Sequence, residues 1–477
     1  MIGNDIAKQK YISKRIQHWD NIAKEKESGW SKYYHKYLER VYKFYVPSKQ
    51  RVLEIGCSKG DLLAALKPSE GIGIDQSNEM IQLARQRYPD LQFIQGLMED
   101  IKFEGTFDVI ILSDVLNEVW NVQELFAHLR NYCNSSTRII INAYSRLWQP
   151  ILTMARKLGL VKPMLPQNWL TVKDIDNLLH LGGFETIKTS SEIIFPLNIP
   201  VLSLMANRYL AKIYPFRLFC MSNFTIARKA PETGTQDRKY LVSVIVAARN
   251  EKGNIASLFK RIPEIGAGTE IIFVEGGSSD NTFETIRSEI EKNPGRRASV
   301  FRQTGKGKGD AVRLGFSKAK GDILMILDAD MTVSPEDLPL FYNALVSGKG
   351  EFINGVRLVY PMESEAMRFW NLVGNKFFSL AFTWLLDQPI KDTLCGTKVL
   401  TKENYEKIAA NRSYFGEFDP FGDFDLIFGA AKLNLKIVDM PIRYRDRQYG
   451  TTNISRWRHG MILLRMAVFA ASRIKFF

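Results

Sequence analysis

Short apolar runs alternate with longer amphipathic stretches in two separate parts of the chain, the pattern of parallel strands joined by crossover helices. The first part holds RVLEI (51–55), GIGID (71–75), LQFIQ (91–95), FDVIILSD (107–114) and TRIIINAY (137–144). Two later runs, FETIKTSSEIIF (184–195) and NFTIARK (223–229), flank an apolar insert with a helical pattern. The second part holds VSVIVAA (242–248), EIIFVEGG (270–277), DILMILDAD (322–330), EFINGVRL (351–358) and KIVDMPIRYR (436–445). Between the two parts, KAPETGTQDRKY (229–240) combines proline, glycine and charge without apolar periodicity, which marks a linker. The expected architecture is α/β with two domains, residues 1–229 and 241–477, joined by a linker at 230–240.

Composition supports folded domains and narrows the partners. A chain of 477 residues exceeds one compact core, and 45% hydrophobic with 24% charged residues is ordinary for globular protein. The net charge of +14 favours anionic partners. No recognition pattern for nucleic acid is present, so the basic excess is assigned to phosphates and a membrane surface. Cys57, Cys133, Cys220 and Cys395 are scattered without a C-x-x-C pair, which fits a reducing compartment. The N-terminus lacks an apolar h-region, and no uninterrupted apolar stretch approaches bilayer length. A cytoplasmic protein, touching the membrane only peripherally at its cytoplasmic face, is the expectation.

In the first domain, VLEIGCSKGDLLAAL places Glu54, Gly56 and Gly60 between a strand and a helix. Glycine there lets the backbone turn tightly and approach a ligand. Asp75 ends the next strand, where an acid accepts hydrogen bonds from ribose hydroxyls. With these residues, the stretch from roughly Tyr11 to Lys229 resembles a class I S-adenosylmethionine-dependent methyltransferase. EIGCSKGD matches the family's first motif and GIDQS the acidic second; QGLMEDI resembles the adenine-side motif. FDVIILSDVLNEVWN resembles the fourth motif, and TVKDIDNLLHLGGFE the segment before the last two strands. The resemblance implies a Rossmann-like fold with S-adenosylmethionine held by Glu54, Gly56, Gly60, Asp75, Met98, Glu99 and Ser113, and Asp114 near the methionine portion. Ser58 departs from the family, standing where many members have glycine. No residue declares itself as a base, which suits a transfer governed by positioning.

In the second domain, DILMILDAD ends in Asp328 and Asp330, two carboxylates at the exit of an apolar strand. Hard oxygen ligands beside a diphosphate suit Mg²⁺ or Mn²⁺, which neutralises charge on a departing nucleotide diphosphate. The ordered series VSVIVAARNEKGNI, EIIFVEGGSSDNT and GKGKGDAVRLGFSKAKGDILMILDAD resembles the family 2 glycosyltransferases of GT-A fold, over about residues 241–458. The resemblance implies a nucleotide-sugar donor held by Ala248, Arg249, Asn250 and Glu251, and by Glu275, where aspartate is common. Lys306 and Lys308 lie in a GKGKGD loop that suits phosphates but lacks the G-K-[ST] ending of an ATP-binding loop. DTLCGTKVL resembles the segment lining the acceptor side, which implicates Asp392. FGDFDLIF sets Asp423 and Asp425 two apart, on one face if extended. The resemblance favours Asp425 over Asp423 as the base for a hydroxyl nucleophile, and capping a helix is the alternative for either.

The last motif bears on the acceptor. YRDRQYGTTNISRWRHG resembles the D-R-x-x-G-x-S-K stretch of dolichyl- and polyprenyl-phosphate sugar synthases. The resemblance implies a basic cluster that grips a lipid phosphate or the donor diphosphate, here Arg443, Arg445 and Arg447, with Arg447 at the family position. Thr452 takes the serine place and Asn453 replaces the usual lysine. RHGMILLRMAVFAASRIKFF ends the chain as a basic amphipathic helix suited to an anionic interface, and MRFWNLVGNKFFSLAFTWLL is similarly apolar. Packing against the domain or a dimer partner is the alternative for both.

The prediction is a bifunctional enzyme. One half would transfer a hexose, with inversion, from a nucleotide-sugar to a polyprenyl-phosphate-type acceptor. The other would pass a methyl group from S-adenosylmethionine to a glycan or related small molecule. The rival reading has a sugar hydroxyl as glycosyl acceptor, in polysaccharide biosynthesis, beside a non-catalytic N-terminal module.

Overall fold

The structure is a computed structural model that describes residues 2–25, 29–97, 101–159, 164–232, 239–357, 359–360, 369–414, 422–445, 447, 449 and 456–477, with backbone alone at 2–5, 29–30, 369–372 and 456–459. It divides into one unit of Met1–Ala230 with Phe476–Phe477, and a second of Pro231–Lys475. Residues 233–238 of the expected linker lie outside the described residues.

In the first unit the seven apolar runs all form strands: β1 (Arg51–Ile55), β2 (Glu70–Asp75), β3 (Gln92–Gln95), β4 (Val109–Ser113), β5 (Arg138–Tyr144), β6 (Phe184–Glu192) and β7 (Ser222–Lys229). They make one sheet in the order β3-β2-β1-β4-β5-β7-β6. Every pairing is parallel except those of β7, which runs antiparallel to β5 and β6. Leu53, Ile72, Ile110, Leu112 and Ile139 meet Phe126 and Phe184 in a closed core. Burial on both faces explains why these runs are continuous rather than alternating. Strand order reverses between β1 and β4, the place where open α/β sheets leave a crevice at their carboxyl ends. Two helices, Ile2–Ala23 and Gly29–Tyr45, precede β1 and were not read from the sequence.

The second unit holds β8 (Val242–Ala248), β9 (Thr269–Glu275), β10 (Arg297–Arg302), β11 (Ile323–Asp328), β12 (Phe352–Val356), β13 (Lys398–Thr401) and β14 (Ile437–Pro441). Their order is β10-β9-β8-β11-β13-β12-β14, with β13 antiparallel to both neighbours. Strands β10 and β13 were absent from the sequence reading, for different reasons. β10 is an edge strand whose side chains are at most half-buried, and β13 is only 4 residues long. Val244, Val246, Phe273, Met325 and Leu327 centre the core. The reversal here falls between β8 and β11, and register sets Ala247 beside Asp328 and Ala248 beside Glu275.

Candidate active sites

In the first unit, the turn after β1 is built around left-handed backbone. Gly56 and Gly60 have φ of 72° and 79°. A Cβ on Gly56 would lie 2.8 Å from Val115 Cγ2, and one on Gly60 would lie 2.6 Å from Phe93 Cζ. Ser58, the departure from glycine, is left-handed too, with φ of 48°. Its backbone N–H donates to Asp75 Oδ2 at 2.9 Å, and that of Ser77 donates to Oδ1 at 2.9 Å. Burial pushes the Asp75 carboxyl up to about 6 against these two donors. Glu54 is buried, its Oε2 lacks a hydrogen-bond partner, and burial drives its pKa well above the carboxylate range. Such an orphaned acceptor calls for a polar ligand group or water.

These residues border a cavity of about 1700 Å³, lined by Glu54, Gly56, Ser58, Asp75, Ser113 and Asp114 on one side. Tyr11, Arg15 and Trp19 line it from the first helix, and Tyr34 from the second. Ligand pockets usually enclose ~300–1,000 Å³, so a nucleoside cofactor would leave room for a second molecule. Met98 and Glu99 lie outside the described residues.

The sequence reading placed Asp114 beside the cofactor but found no base. The structure surrounds that carboxylate with polar partners. Tyr34 donates to Asp114 Oδ2 at 2.9 Å, Asn142 Nδ2 to Oδ1 at 2.6 Å, and Tyr42 to Asn142 Oδ1 at 2.7 Å. Asp114 itself is left-handed, with φ of 53°. Burial raises its pKa to about 7, with nearby Glu118 adding to the rise and the hydrogen bonds opposing it. The missing signal was distance in sequence: Tyr34 comes from a helix before the sheet begins.

In the second unit, two acid–base pairs meet where β8 and β11 end. Lys308 Nζ lies 2.5 Å from Asp328 Oδ1, and Arg447 Nη2 lies 2.6 Å from Asp330 Oδ2. Arg447 also reaches Glu251 Oε1 at 3.5 Å. Burial would raise the Asp328 pKa, but Lys308 outweighs it and holds the carboxyl below its ordinary value. A Cβ on Gly396 would overlap Asp328 Oδ2 and Lys308 Nζ, so glycine keeps this corner open. Asp330 Oδ1 is fixed by the N–H and hydroxyl of Thr332 at 3.1 and 2.9 Å.

The expected donor residues line the same sheet edge. Ala248 ends β8, and its carbonyl accepts from the Gly276 N–H. Asn250, left-handed at φ 57°, joins two loops: its N–H donates to Ser278 Oγ and its Oδ1 accepts from the Ser279 N–H. Glu251 accepts from Asn254 Nδ2 at 2.7 Å, and Glu275 Oε1 accepts from the Ser278 N–H. Lys306 is exposed on the glycine loop, and Lys308 rather than Lys306 reaches the carboxylates.

Three expected groups sit in surroundings the sequence did not announce. Asp392 is fully buried, and Arg357 takes both its oxygens at 2.7 and 2.9 Å. Asp423 and Asp425 do not share an extended face, since both sit in the first turn of the helix Asp423–Lys432. They consequently point apart. Asp425 is held by Arg412 at 2.8 Å, whereas buried Asp423 lies near enough to Lys308 to help raise its pKa. Arg443, Arg445 and Arg447 alternate but do not converge. Arg443 lies over Tyr360 at 5.4 Å, and Arg445 is exposed while its N–H donates to the Thr332 carbonyl. Thr452 and Asn453 lie outside the described residues.

The two apolar helices are each half covered. Phe382, Leu385 and Leu386 of Phe369–Leu386 are buried, while Val373, Phe377 and Leu380 are exposed. In Arg456–Ala470, Leu463 and Met466 are buried, while Met461, Leu464 and Val468 are exposed. Among the described residues no helix is long and apolar enough to cross a membrane.

Comparison with known proteins gives each unit a counterpart. Residues 243–407 match the family model described as glycosyl transferase family 2, and residues 47–182 match the one described as a methyltransferase domain. A dolichol-phosphate mannosyltransferase of Pyrococcus furiosus is 33% identical over 219 residues, 45% of this chain and 59% of that protein. An undecaprenyl-phosphate 4-deoxy-4-formamido-L-arabinose transferase of Edwardsiella ictaluri is 32% identical over 111 residues, 22% of this chain and 34% of that protein. The chain thus spans less than two thirds of these curated relatives. Among solved structures, magnesium protoporphyrin IX methyltransferase from Synechocystis, with bound SAH, covers 48% of this chain and all of its own at 18% identity and a TM-score of 0.33. Glucosyl-3-phosphoglycerate synthase from Mycobacterium tuberculosis, with Mn²⁺ and UDP, covers 49% of this chain and 80% of its own at 18% identity and a TM-score of 0.37.

Proposed function

We propose that the chain carries two activities on separate sites, a reading supported by its matches to a methyltransferase domain and to glycosyl transferase family 2. The second unit transfers a hexose from a nucleotide-sugar to a polyprenyl-phosphate-type acceptor, with inversion. The observation that carries this reading is the cluster of Asp328, Asp330 and Glu251 with Lys308 and Arg447. Asp328 and Asp330 would hold Mg²⁺ or Mn²⁺. Two carboxylates suit an ion that shares its remaining positions with a substrate diphosphate. When bound, that ion would neutralise charge on the leaving nucleotide diphosphate. Lys308 and Arg447, now paired with the carboxylates, are then placed to meet phosphate oxygens, and arginine suits them in bidentate fashion.

A phosphate acceptor is already ionised at neutral pH, so positioning and charge stabilisation outweigh the need for a base. The printed functions of the dolichol- and undecaprenyl-phosphate relatives support this acceptor class. The exposed apolar residues of the two helices support peripheral docking at a membrane. A second reading, a sugar hydroxyl as acceptor, is favoured by one observation: Asp423 is buried beside Lys308, where a base would stand. Incubating the purified chain with membranes and a panel of labelled nucleotide-sugars tests the choice. Label in the organic phase is expected; label confined to aqueous polysaccharide would overturn it.

The first unit transfers a methyl group from S-adenosylmethionine to a glycan or related small molecule. Asp75 would accept the ribose hydroxyls, and the left-handed glycines would let backbone approach the cofactor. S-adenosylmethionine supplies an electrophilic methyl carbon on its sulfonium. Asp114 takes the proton that an acceptor hydroxyl gives up, with Tyr34 orienting the carboxylate. Calorimetry with S-adenosylmethionine tests the cofactor; no heat of binding would leave a non-catalytic module.

A further inference from the structure

The first unit carries an exposed apolar surface that the chemistry above does not use. It comes from two stretches, residues 146–159 and the insert 193–219 between β6 and β7. Leu147, Met154 and Leu158 are exposed in the first. In the second, Val201 and Tyr214 keep 72% and 74% of their surface open, and Leu204, Met205 and Phe219 about half. A hydrogen bond of 2.9 Å from the Trp148 indole to the Phe219 carbonyl ties the stretches side by side. Clusters of exposed large apolar side chains on a folded protein mark an interaction surface.

Charge selects that partner. Neither stretch contains an aspartate or glutamate, whereas they contain Arg146, Arg156, Lys157, Arg208 and Arg217, beside a further lysine, Lys212, that is buried in an ion pair with Glu192. Apolar side chains among basic ones are the composition of a surface for anionic lipid. The same surface is continuous with the cavity. Ile151 is 49% exposed yet also lines it, as do Trp148 and Leu197 beside it. The cavity runs from this apolar mouth to the Asp114 carboxylate.

We infer that the insert 193–219 and the helix Gln149–Lys157 dock on an anionic bilayer and open the methyl-transfer cavity to it, so that the methyl acceptor is a lipid-borne molecule. This deepens the methyltransferase reading and rests on it. An acceptor with an apolar tail would leave the bilayer along Ile151 and Leu197 and present its polar head at Asp114. An acceptor dissolved in water would gain nothing from such an entrance.

The test uses the full chain with vesicles of phosphatidylglycerol or of phosphatidylcholine. Wild type should bind phosphatidylglycerol more tightly. Val201→Glu and Leu204→Glu, both at exposed positions, should each weaken binding about tenfold, the loss for one half-buried apolar side chain. S-adenosylmethionine binding should stay unchanged in both. With membrane lipids in the vesicles and labelled S-adenosylmethionine, organic-phase methyl label should fall in the same order. Met461→Glu in the C-terminal helix, as a control, should lower vesicle binding without lowering methyl label per bound protein. Unchanged vesicle binding in both insert variants would overturn the inference. So would a wild-type dimer that these variants convert to monomer with lipid binding intact, which would mark the face as a self-association surface. Failure of wild type to bind S-adenosylmethionine would instead sink the methyltransferase reading, and vesicle binding would still report on the surface.

Discussion

The two units place acids at the carboxyl ends of parallel strands and give them opposite surroundings. In the first unit Asp75 and Asp114 are half-buried among neutral donors, and desolvation raises them to about 6 and about 7. In the second, Asp328 is half-buried as well, yet Lys308 holds it below its ordinary value. One local geometry therefore yields two kinds of carboxylate. A carboxylate poised near neutrality exchanges a proton readily at working pH, whereas one held ionised by a cation is a weaker base and better suited to binding charge. The difference is made by Lys308, which comes from another segment and sits 2.5 Å from Asp328.

The contrast can be broken from either side. Asp328→Ala has the largest expected effect, a loss of hexose transfer of roughly a thousandfold, because it removes both the proposed metal ligand and the partner of Lys308. Initial rates at saturating Mn²⁺ measure it, and near-normal turnover would count against the metal role. Asp114→Asn should lower methyl transfer by about 10²–10⁴-fold while calorimetric affinity for S-adenosylmethionine stays within a few-fold. A merely structural role would weaken both together.

A smaller effect separates the units by pH. Asp114 must be ionised to accept a proton, so methyl transfer should rise as pH increases through about 7 and then level off. Tyr34, Tyr42, Tyr144 and Glu118 are other titratable groups coupled to this site. Asp328 keeps its charge across that window, so hexose transfer should show no matching step. Parallel pH–rate profiles from one preparation would settle whether the two carboxylate environments differ as described. Smaller still, Ser58→Gly should relieve a left-handed serine and stabilise the first unit by about 1 kcal/mol, read as a raised Tm.

Much of the fold was legible, because strands buried on both faces leave continuous apolar runs that need no partner to be seen. Where a strand was short or at the edge, as in β13 and β10, the signal fell below the surrounding helices. The acids themselves were legible for the same reason: Asp75, Asp328 and Asp330 close or follow apolar strands. Their partners were not. Arg357 meets Asp392 from 35 residues away, and Tyr34 meets Asp114 from 80. No local pattern announces such pairs. For Asp423 and Asp425 the spacing shares one face only on an extended chain, and the helix that starts at Asp423 turns them apart.

Reciprocal inactivation in a single preparation tests the central claim most directly. Both transfers should be assayed side by side in the full chain, in Asp75→Ala and in Asp330→Ala. Asp75→Ala should lose methyl transfer and keep hexose transfer, and Asp330→Ala should do the reverse. A variant that loses both activities while still folded, or one that loses neither, would contradict two independent sites in one chain.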